Sequence, residues 1–569
     1  MPLPDEAGSP LSSSAESRTL AVHRQSNRRF TILILLIAFI FSILVVRITK
    51  LMFFEKDILL TNPRIDRSVE RGFITDRNGE KLALSLETYS VYARPSEIQQ
   101  KSEAARQLAG PLDVPYEQIL RKINTRKPFV WIKRQVDVKH SDELEKLDVK
   151  GIYLEKEYRR YYPFESLASH VIGFAGVDQK GLEGVEFQFD DALLPKRIER
   201  KSENTQTLRR GYTVVLTIDR FIQEIVEEEL IAAFETTGAR HISAIVMHPS
   251  TGEILAMANH PGYNLNRFSS YDDRLKRNRA ITDSFEPGST FKIFVAAMLL
   301  DNGILQETDQ FECAGSVNVY DVTIHDTGVH GTVNFRQILE RSCNVGMVKA
   351  VDGVDNAQLY ESLRAFGFGE PTGVNLPGEA RGILRNPRDW SGLSKYVLSI
   401  GQEISVTPLQ LVAAASAIAN GGVLMQPRIV QRVEKSDGTL LTEYRPVQLR
   451  RVIREETAEQ LLDILIGVLS DRGTGYKARL EGYTIAGKTG TAQIADTVSG
   501  GYLDGQFFAS FVGFLPIPDP RIVILITLDR PLGETYGGQT AAPIFRNIVE
   551  RIAPYLNILP SFSEIYVLR

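Results

Sequence analysis

The sequence predicts an α+β protein held to a membrane by a single N-terminal transmembrane helix, and three observations carry that prediction. An apolar stretch runs from Phe30 to Val46, strand patterns open and close the long region behind it, and helical patterns fill much of the interval between them. Strands drawn from the two ends of such a region pack as a sheet, with the intervening helices laid on it. The 569 residues exceed what one ordinary core supports, so two or more folded domains are expected. With 43% apolar and 24% charged residues the composition is that of a globular protein. A net charge of −4 gives no electrostatic reason to expect nucleic acid as a partner.

Taken in order, residues 1–29 are polar and Ser-rich and end in Arg24, Arg28 and Arg29, the composition of a disordered tail. Phe30 to Val46 is apolar except for Thr31 and Ser42, and reaches the short end of the roughly 17–25 residues that span a bilayer. Arg47 and Lys50 can snorkel outward, which lets Leu51-Met-Phe-Phe54 extend the apolar contact. No small-x-small cleavage site follows and no polar face interrupts the segment. Residues 30–50 are therefore expected to be a retained anchor rather than a signal peptide or a core helix. Basic residues flank both ends, so charge does not set the orientation, and a long downstream region translocates largely regardless of it. Ile522–Leu528 is β-branched and only of strand length. No second spanning stretch occurs, so the remainder is expected on one side of the membrane.

Residues 58–205 read as a charged, strand-rich module with no nucleophile–base pair. The polar, aperiodic Lys201-Ser-Glu-Asn-Thr-Gln206 marks its end. A second domain is expected over 206–555, with a tail over 556–569. Within that domain Gly211–Ile218 reads as a strand, and residues 221–234 as an amphipathic helix on Ile222, Ile225, Val226, Leu230 and Phe234. Ala244–Met247 and Ile254–Met257, joined across Pro249-Ser-Thr-Gly252, read as a hairpin. Tyr483–Ala486, Phe508–Leu515 and Arg521–Leu528 supply the remaining strands.

Three short motifs in fixed order carry the chemistry: Ser289-Thr-Phe-Lys292, Ser342-Cys-Asn344 and Lys488-Thr-Gly-Thr491. Each is cheap alone. Ser202-Glu-Asn204 and Ser316-Val-Asn318 have the same form as the second motif. The latter lies in the alternating stretch Ser316–Val322, which reads as one plain strand. Context distinguishes the chosen set. Ser289 follows the turn signal Phe285-Glu-Pro-Gly288 and precedes Ile293, Ala296, Ala297 and Leu300, whose spacing predicts a helix buried on one face. Ser289 then sits at or near a helix N-terminus with Lys292 one turn on.

A serine hydroxyl needs a base to become a nucleophile. A lysine with its ordinary pKa of about 10.4 cannot serve, but burial and a second cation, Lys488, would both lower that value. Ser342 and Asn344 follow a helical stretch (Phe335, Ile338, Leu339) opening at Thr332. Ser342 could relay a proton to a leaving amine. Asn344 could hold Lys292 through its carbonyl and a substrate amide through its NH2. A helix-end cap is the other reading of this triplet.

On its strand, Gly490 leaves room for a ligand to run alongside, while Lys488, Thr489 and Thr491 offer a cation and hydroxyls to a terminal carboxylate. The backbone N–H groups of Ser289 and Thr491 are candidates for an oxyanion hole. Together the three motifs describe an enzyme that acylates itself on a peptide ending in a free carboxylate. Two cysteines, Cys313 and Cys343, make no disulfide framework, although a pair remains open. His325 and His330 are the closest histidines and show no third ligand nearby, so neither a metal nor a cofactor is expected.

These motifs resemble those of the class B penicillin-binding proteins, membrane-anchored D,D-transpeptidases that cross-link peptidoglycan. The resemblance extends to Arg71-Gly-Phe-Ile-Thr-Asp-Arg-Asn-Gly79 with Leu82-Ala83, Arg160-Tyr-Tyr-Pro163, Ala168-Ser-His-Val-Ile-Gly173 and Gly181-Leu-Glu-Gly-Val-Glu186, which are similar to motifs of the family's elongated N-terminal pedestal, a dimerisation-like module. It implies an antiparallel sheet covered by helices, with a helical subdomain, over 206–555. Ser289, Lys292, Ser342 and Asn344 would then be catalytic, and Lys488, Thr489, Gly490 and Thr491 would bind substrate. Ser289 would attack the D-Ala-D-Ala bond of a stem peptide, a second stem peptide's amine would resolve the acyl-enzyme, and β-lactams would acylate the same serine. Only Phe174 to Lys180 separate two of the pedestal motifs, where elongation-specific relatives tend to carry an insertion. That compactness and Phe285-Glu-Pro-Gly288 favour the cell-division branch. With no transglycosylase domain in the N-terminal region, a membrane glycosyltransferase and other divisome proteins are the implied partners. The N-terminus would be cytoplasmic and the catalytic domain periplasmic, at the septum of the inner membrane. An elongation- or sporulation-specific transpeptidase of the same mechanism, a D,D-carboxypeptidase, a serine β-lactamase and a catalytically silent scaffold are the alternatives.

Overall fold

The computed structural model describes residues 34–47, 70–136, 149–194, 210–496 and 499–560. Residues 34–47 are helical, and the large apolar side chains from Ile34 to Val46 are all exposed. Among the described residues no helix is long and apolar enough to cross a membrane. The expected tail over 1–29, residues 30–33 and 48–50 of the expected anchor, the expected boundary at 201–206 and the end of the C-terminal tail lie outside the described residues. Residues 67 onward form a separate compact unit.

That unit opens with a long strand, β1 (Lys81–Ala93), followed by helices α1 (Lys101–Leu112) and α2 (Tyr116–Ile123) and strands β2 (Val130–Val136) and β3 (Ile152–Tyr161). β1 pairs antiparallel with both β2 and β3, and Leu108, Leu112, Ile119 and Ile123 seal the helices onto Val91, Ala93 and Ile132. The module is thus strand-and-helix rather than simply strand-rich. Its sheet does not stop at the next domain. Ile74–Thr75 pairs with β1 on one side and, in parallel, with Thr213–Leu216 on the other, and Thr213–Leu216 pairs with Val430–Glu434. One continuous sheet ties the front of the chain to its middle.

The quoted pedestal motifs meet at one buried point. The Arg71 guanidinium donates to the Glu186 carboxylate at 2.6 Å, and Arg160 donates to the other Glu186 oxygen at 2.5 Å. Arg71 also donates to Asp190 at 2.7 Å and to the carbonyl oxygens of Gln179 and Glu186, and Arg160 donates to the Gly72 carbonyl. Arg71 and Glu186 have no solvent exposure. Burial works to raise the Glu186 pKa, and the Arg160 and Arg71 charges override it and hold the carboxyl below its usual value.

Beyond this junction the chain runs through α3 (Arg220–Thr237), β4 (His241–Met247) and β5 (Ile254–His260), then a 3₁₀ turn at Gly288–Phe291 that passes directly into α4 (Lys292–Asp301). Asp219 caps α3 by accepting from the Phe221 and Ile222 N–H groups. Four short strands follow, β6 (Gln310–Cys313), β7 (Ser316–Val319), β8 (Val322–His325) and β9 (Gly331–Asn334). Helices α5 (Phe335–Arg341), α6 (Asn344–Ala350), α7 (Pro408–Ala419) and α8 (Glu455–Ile466) lead to β10 (Ala486–Ala495), β11 (Tyr502–Leu515), β12 (Ile522–Asp529) and α9 (Gly537–Tyr555).

The five-stranded sheet has the order β10-β11-β12-β4-β5 and is antiparallel throughout, so strands from both ends of the region are neighbours. β12 is buried along its whole length from Ile522 to Leu528, as a central strand covered on both faces must be. Helices α3 and α9 pack together on the sheet, and α7 packs on it with α8. β10 is an edge strand.

Four local expectations are corrected. Ser316–Val322 is not one strand: the chain reverses at Tyr320-Asp321, with Tyr320 at φ 53°, so that β7 and β8 form a hairpin whose pairing places Val319 opposite Val322. Alternation continues through a two-residue turn, which is why the pattern hides it. The helix expected from Thr332 begins after Asn334, which makes a capping box with Gln337, and Thr332 lies on β9. The strand expected from Tyr483, β10, starts at Ala486. Helix α4 is buried all round from Lys292 to Leu300, not on one face, because it threads the centre of the core.

Substituting Glu186→Gln leaves two buried guanidinium groups facing a neutral amide. It is expected to destabilise the protein by about 3–5 kcal/mol, measured by denaturant unfolding of the full chain.

Candidate active site

The 3₁₀ turn places Ser289 at the mouth of α4, half-buried, with Lys292 one turn inward and fully buried. Gly288 makes this approach possible. Its φ is +55°, and an added Cβ would lie 2.8 Å from the Thr491 carbonyl oxygen and 3.1 Å from the Ala492 Cβ, so the turn packs directly on β10. The Gly288 N–H donates to the Gly401 carbonyl at 3.0 Å and fixes the turn from behind.

The Lys292 ammonium reaches into the second motif. It donates to the Ser342 carbonyl oxygen at 2.6 Å, to Asn344 Oδ1 at 2.7 Å and, weakly, to Ser342 Oγ at 3.4 Å. Lys488, also without exposure, donates to the same Ser342 Oγ at 2.9 Å and to its neighbour's carbonyl, Thr489 O, at 3.2 Å. One serine hydroxyl therefore stands between two buried lysines. Helix geometry delivers it: Ser342 ends α5 in the left-handed region at φ 60°, and Cys343 caps α6. The helix-cap reading and the functional reading of this triplet hold together.

Electrostatics separate the two lysines. Burial pulls Lys292 down to about 8, while the Asp326 carboxylate acts to raise it. Burial, and then repulsion from the Lys292 charge, drives Lys488 well below its ordinary value. The mutual repulsion expected to lower Lys292 is thus felt at Lys488. Asp326 is a functional group that sequence reasoning missed. It lies between the two noted histidines in His325-Asp-Thr-Gly-Val-His330, and the signal was there to be read as a charge rather than as histidine spacing.

Several expectations for the site change. The Thr489 hydroxyl shares a 2.7 Å hydrogen bond with Thr474, and Thr491 Oγ1 accepts from the Gly537 N–H at 3.1 Å, so neither hydroxyl is free beside Lys488. Alternation along β10 puts Lys488 and Gly490 on one face and the two threonines on the other. Gly490 is required by the turn that carries Ser289: an added Cβ would lie 2.9 Å from Pro287 O, 2.9 Å from Thr290 Cγ2 and 2.3 Å from Ser510 Oγ. The Asn344 NH2 donates one of its two hydrogens to the His325 carbonyl at 3.0 Å. His330, expected with His325 to show no third ligand nearby, has the carboxylate of Asp326 at 3.5 Å and belongs with Cys313 and Asp326 to a group whose ligand atoms lie within 4.8 Å of one another.

Gly490→Ala forces a methyl between β10 and the Ser289 turn. It is expected to cost about 1–3 kcal/mol in thermal unfolding and to slow acylation of Ser289 roughly 100-fold, read by quenched-flow mass spectrometry.

Comparison with known proteins agrees with this architecture. Residues 242–550 match the penicillin-binding protein transpeptidase domain, and residues 66–210 match the penicillin-binding protein dimerisation domain. The stage V sporulation protein D of Bacillus subtilis is 34% identical over 518 residues, covering 87% of this chain and 80% of that protein. The peptidoglycan D,D-transpeptidase FtsI of Escherichia coli K12 is 32% identical over 513 residues, covering 87% of this chain and 85% of that one. Among solved structures, penicillin-binding protein 3 of Mycobacterium tuberculosis in complex with ampicillin superposes with a TM-score of 0.71 at 31% identity, over 87% of this chain and 97% of that chain. A serine–lysine pair on a buried helix, a second lysine on the facing edge strand and both domain matches lead to one conclusion: the chain belongs to the class B penicillin-binding proteins.

Proposed function

We propose that this chain is a membrane-anchored peptidoglycan D,D-transpeptidase of cell division, with Ser289 as nucleophile, Lys292 as its base, Ser342 as proton relay, Asn344 as the holder of Lys292, and Lys488 with the Thr489-Gly490-Thr491 backbone as the carboxylate cradle. The observation that carries it is the hydrogen-bonded series Lys292–Ser342–Lys488 beside the Ser289 turn. When the terminal carboxylate of a stem peptide docks beside Lys488, its charge favours a protonated Lys488. The two lysines repel, so the proton leaves Lys292, and Ser342 Oγ is the atom between them. Neutral Lys292 then takes the Ser289 proton as Oγ attacks the D-Ala carbonyl. The N–H groups of Ser289 and Thr491 receive the oxyanion, and the terminal D-Ala leaves with the relayed proton. An amine of a second stem peptide attacks the ester, forms the new amide and returns Ser289 to its hydroxyl form.

β-Lactams, as rigid mimics of the terminal dipeptide, acylate the same serine; the related Mycobacterium tuberculosis protein has been solved with aztreonam and with ampicillin. Residues 30–50 anchor the chain, the N-terminus lies in the cytoplasm, and the pedestal (58–205) and catalytic domain (206–555) lie outside the inner membrane. A helix at 34–47 with every large apolar side chain exposed supports this, because such a helix needs an apolar surrounding. A membrane glycosyltransferase and other division proteins supply and organise the glycan strands. Assignment to division rests on the short Phe174–Lys180 connection, which closes as a tight turn, with Gly176 N–H on the Lys180 carbonyl and Gln179 N–H on the Gly176 carbonyl. A sporulation role is the second reading, favoured by the 34% identity to the Bacillus subtilis protein.

Labelled penicillin is expected to leave a long-lived adduct on the Ser289 peptide by mass spectrometry, and none in Ser289→Ala. Rapid release of the adduct would instead indicate a β-lactamase. Depletion during vegetative growth is expected to give filaments; normal division would favour the sporulation role, and rounded cells the elongation role. Because the base must be neutral, and Lys292 loses its proton at about pH 8, the acylation rate is expected to climb with pH through about 8 and level above it. Lys292→Arg, which cannot lose its proton, should drop the rate by about 10³-fold and flatten the profile.

A further inference from the structure

Behind the second motif the ligand atoms of Cys313, Asp326 and His330 lie within 4.8 Å of one another, and Cys343 from the motif itself lies against the first of them. Cys313 Sγ lies 2.8 Å from Cys343 Sγ and 3.4 Å from Asp326 Oδ2, and Asp326 Oδ1 lies 3.5 Å from His330 Nε2. Both cysteines are fully buried, the Asp326 side chain has no exposure, and His330 Nε2 is a buried nitrogen with no hydrogen-bond partner. Two sulfurs, an imidazole nitrogen and a carboxylate oxygen make the donor set that selects zinc in tetrahedral geometry. We propose that Cys313, Asp326, His330 and Cys343 form a structural zinc site whose ion fixes the Ser342–Asn344 turn.

The distances suit that ion with little movement. Zinc–sulfur bonds of about 2.3 Å set two thiolates about 3.7 Å apart in a tetrahedron, and the sulfur–oxygen and oxygen–nitrogen edges fall near 3.5 Å. The sulfur–oxygen separation is met at Asp326 Oδ2 and the oxygen–nitrogen separation at Asp326 Oδ1, so a small turn of the carboxylate is needed for one oxygen to serve both. The sulfurs need to part by about 1 Å. A disulfide, with its bond of about 2.05 Å, would need them to close by a similar distance, so the pair alone does not decide between the two; the carboxylate and the imidazole do, because a disulfide has no use for either.

The backbone behind each ligand is pinned. The His330 N–H donates to the Cys313 carbonyl, and β6 and β9 pair with Cys313 opposite Gly331. The Asp326 N–H donates to the Gly315 carbonyl. Asp326 Oδ2 accepts from the Val345 N–H at 3.2 Å, and Cys343 Sγ accepts from the Gly346 N–H at 3.1 Å. Such outer hydrogen bonds orient metal ligands. In sequence the four are a Cys-x12-Asp-x3-His-x12-Cys set, two arms of equal length around the β8–β9 turn.

Electrostatics leave the chemistry undisturbed. Two thiolates and a carboxylate on a divalent cation carry a net charge of −1, the same as Asp326 alone with neutral thiols. The field on Lys292 is therefore kept while the turn bearing Ser342 and Asn344 is tied to β6 and β9. The ion acts by position.

The test uses the full chain in detergent, kept reduced, loaded with zinc sulfate and dialysed. The expected result is about one zinc per chain by elemental mass spectrometry, a melting temperature raised by zinc, and thiols that react with a disulfide reagent at least tenfold more slowly until a chelator is added. Cys313→Ser and His330→Asn should each weaken zinc at least tenfold and abolish the zinc-dependent melting shift. Zinc below a tenth of an equivalent after loading would overturn the proposal. So would equal retention by both variants, thiols no slower with zinc than without, or a Cys313–Cys343 disulfide as the resting state. If the variants do not fold, the thiol measurement on the unmodified chain decides.

Discussion

Two lysines buried in one pocket and joined through a single serine hydroxyl are the constraint to which the rest of the catalytic domain answers. Taking an ammonium group out of water costs several kcal/mol unless acceptors replace the lost solvent. Lys292 finds three in one turn: the Ser342 carbonyl, Ser342 Oγ and Asn344 Oδ1. Lys488 finds fewer; burial, and after it the charge of its neighbour Lys292, makes it give up its proton more readily. The all-round burial of α4 follows from the same requirement, since a lysine is lowered to about 8 only where water cannot reach it. So does the left-handed conformation of Ser342, which turns both its carbonyl and its hydroxyl toward the lysines at the join of two helices.

The pedestal answers to a second buried charge cluster. Arg71, Arg160 and Glu186 come from three separate motifs and meet where the pedestal strands run into the catalytic domain. Ion pairs in such a place are weak contributors to stability compared with apolar residues, but their loss of a partner is costly. They specify one docking geometry. The strand Ile74–Thr75, hydrogen-bonded to β1 on one side and to Thr213–Leu216 on the other, carries that geometry through the backbone. Movement of the pedestal strands must therefore bend the sheet rather than swing on a loose joint.

Much of this was legible in the sequence, and what was not has a common cause. That Lys292 lies one turn beyond Ser289 follows from helical spacing alone, the β4–β5 hairpin follows from its turn residues, and β12 follows from a β-branched run of strand length. Those are local signals. The purpose of Gly490 is not local: only the fold shows that Pro287 and Thr290 press against it. The side toward which Thr489 points depends on the register of β10, and register is set by a partner strand some twenty residues away. The β7–β8 hairpin hid because alternation runs unbroken across its turn. Asp326 was passed over because its role lies in a field acting on Lys292 from across the core, and no spacing rule encodes that.

Ser342-Cys-Asn344 is where the two polar systems of the domain share a backbone. The first and third side chains of the triplet face the lysines, while the middle one points into the cluster of Cys313, Asp326 and His330. The chain turns through the left-handed Ser342 into the first residue of α6, Asn344, and the Cys343 side chain leaves this turn toward Cys313 rather than toward the lysines. It can hold the segment from behind. Cys343 Sγ is itself the N-cap of α6, accepting from the Gly346 N–H, and it adds a contact to β6 at Cys313 and, through Cys313 and Asp326, to the backbone of Val345. Catalysis by preorganised groups depends on such rear support, because an error of about 1 Å in a relay atom is enough to slow the step about 100-fold. The thiol between Ser342 and Asn344 is thus a structural element behind the lysine pocket, facing Cys313 rather than the lysines.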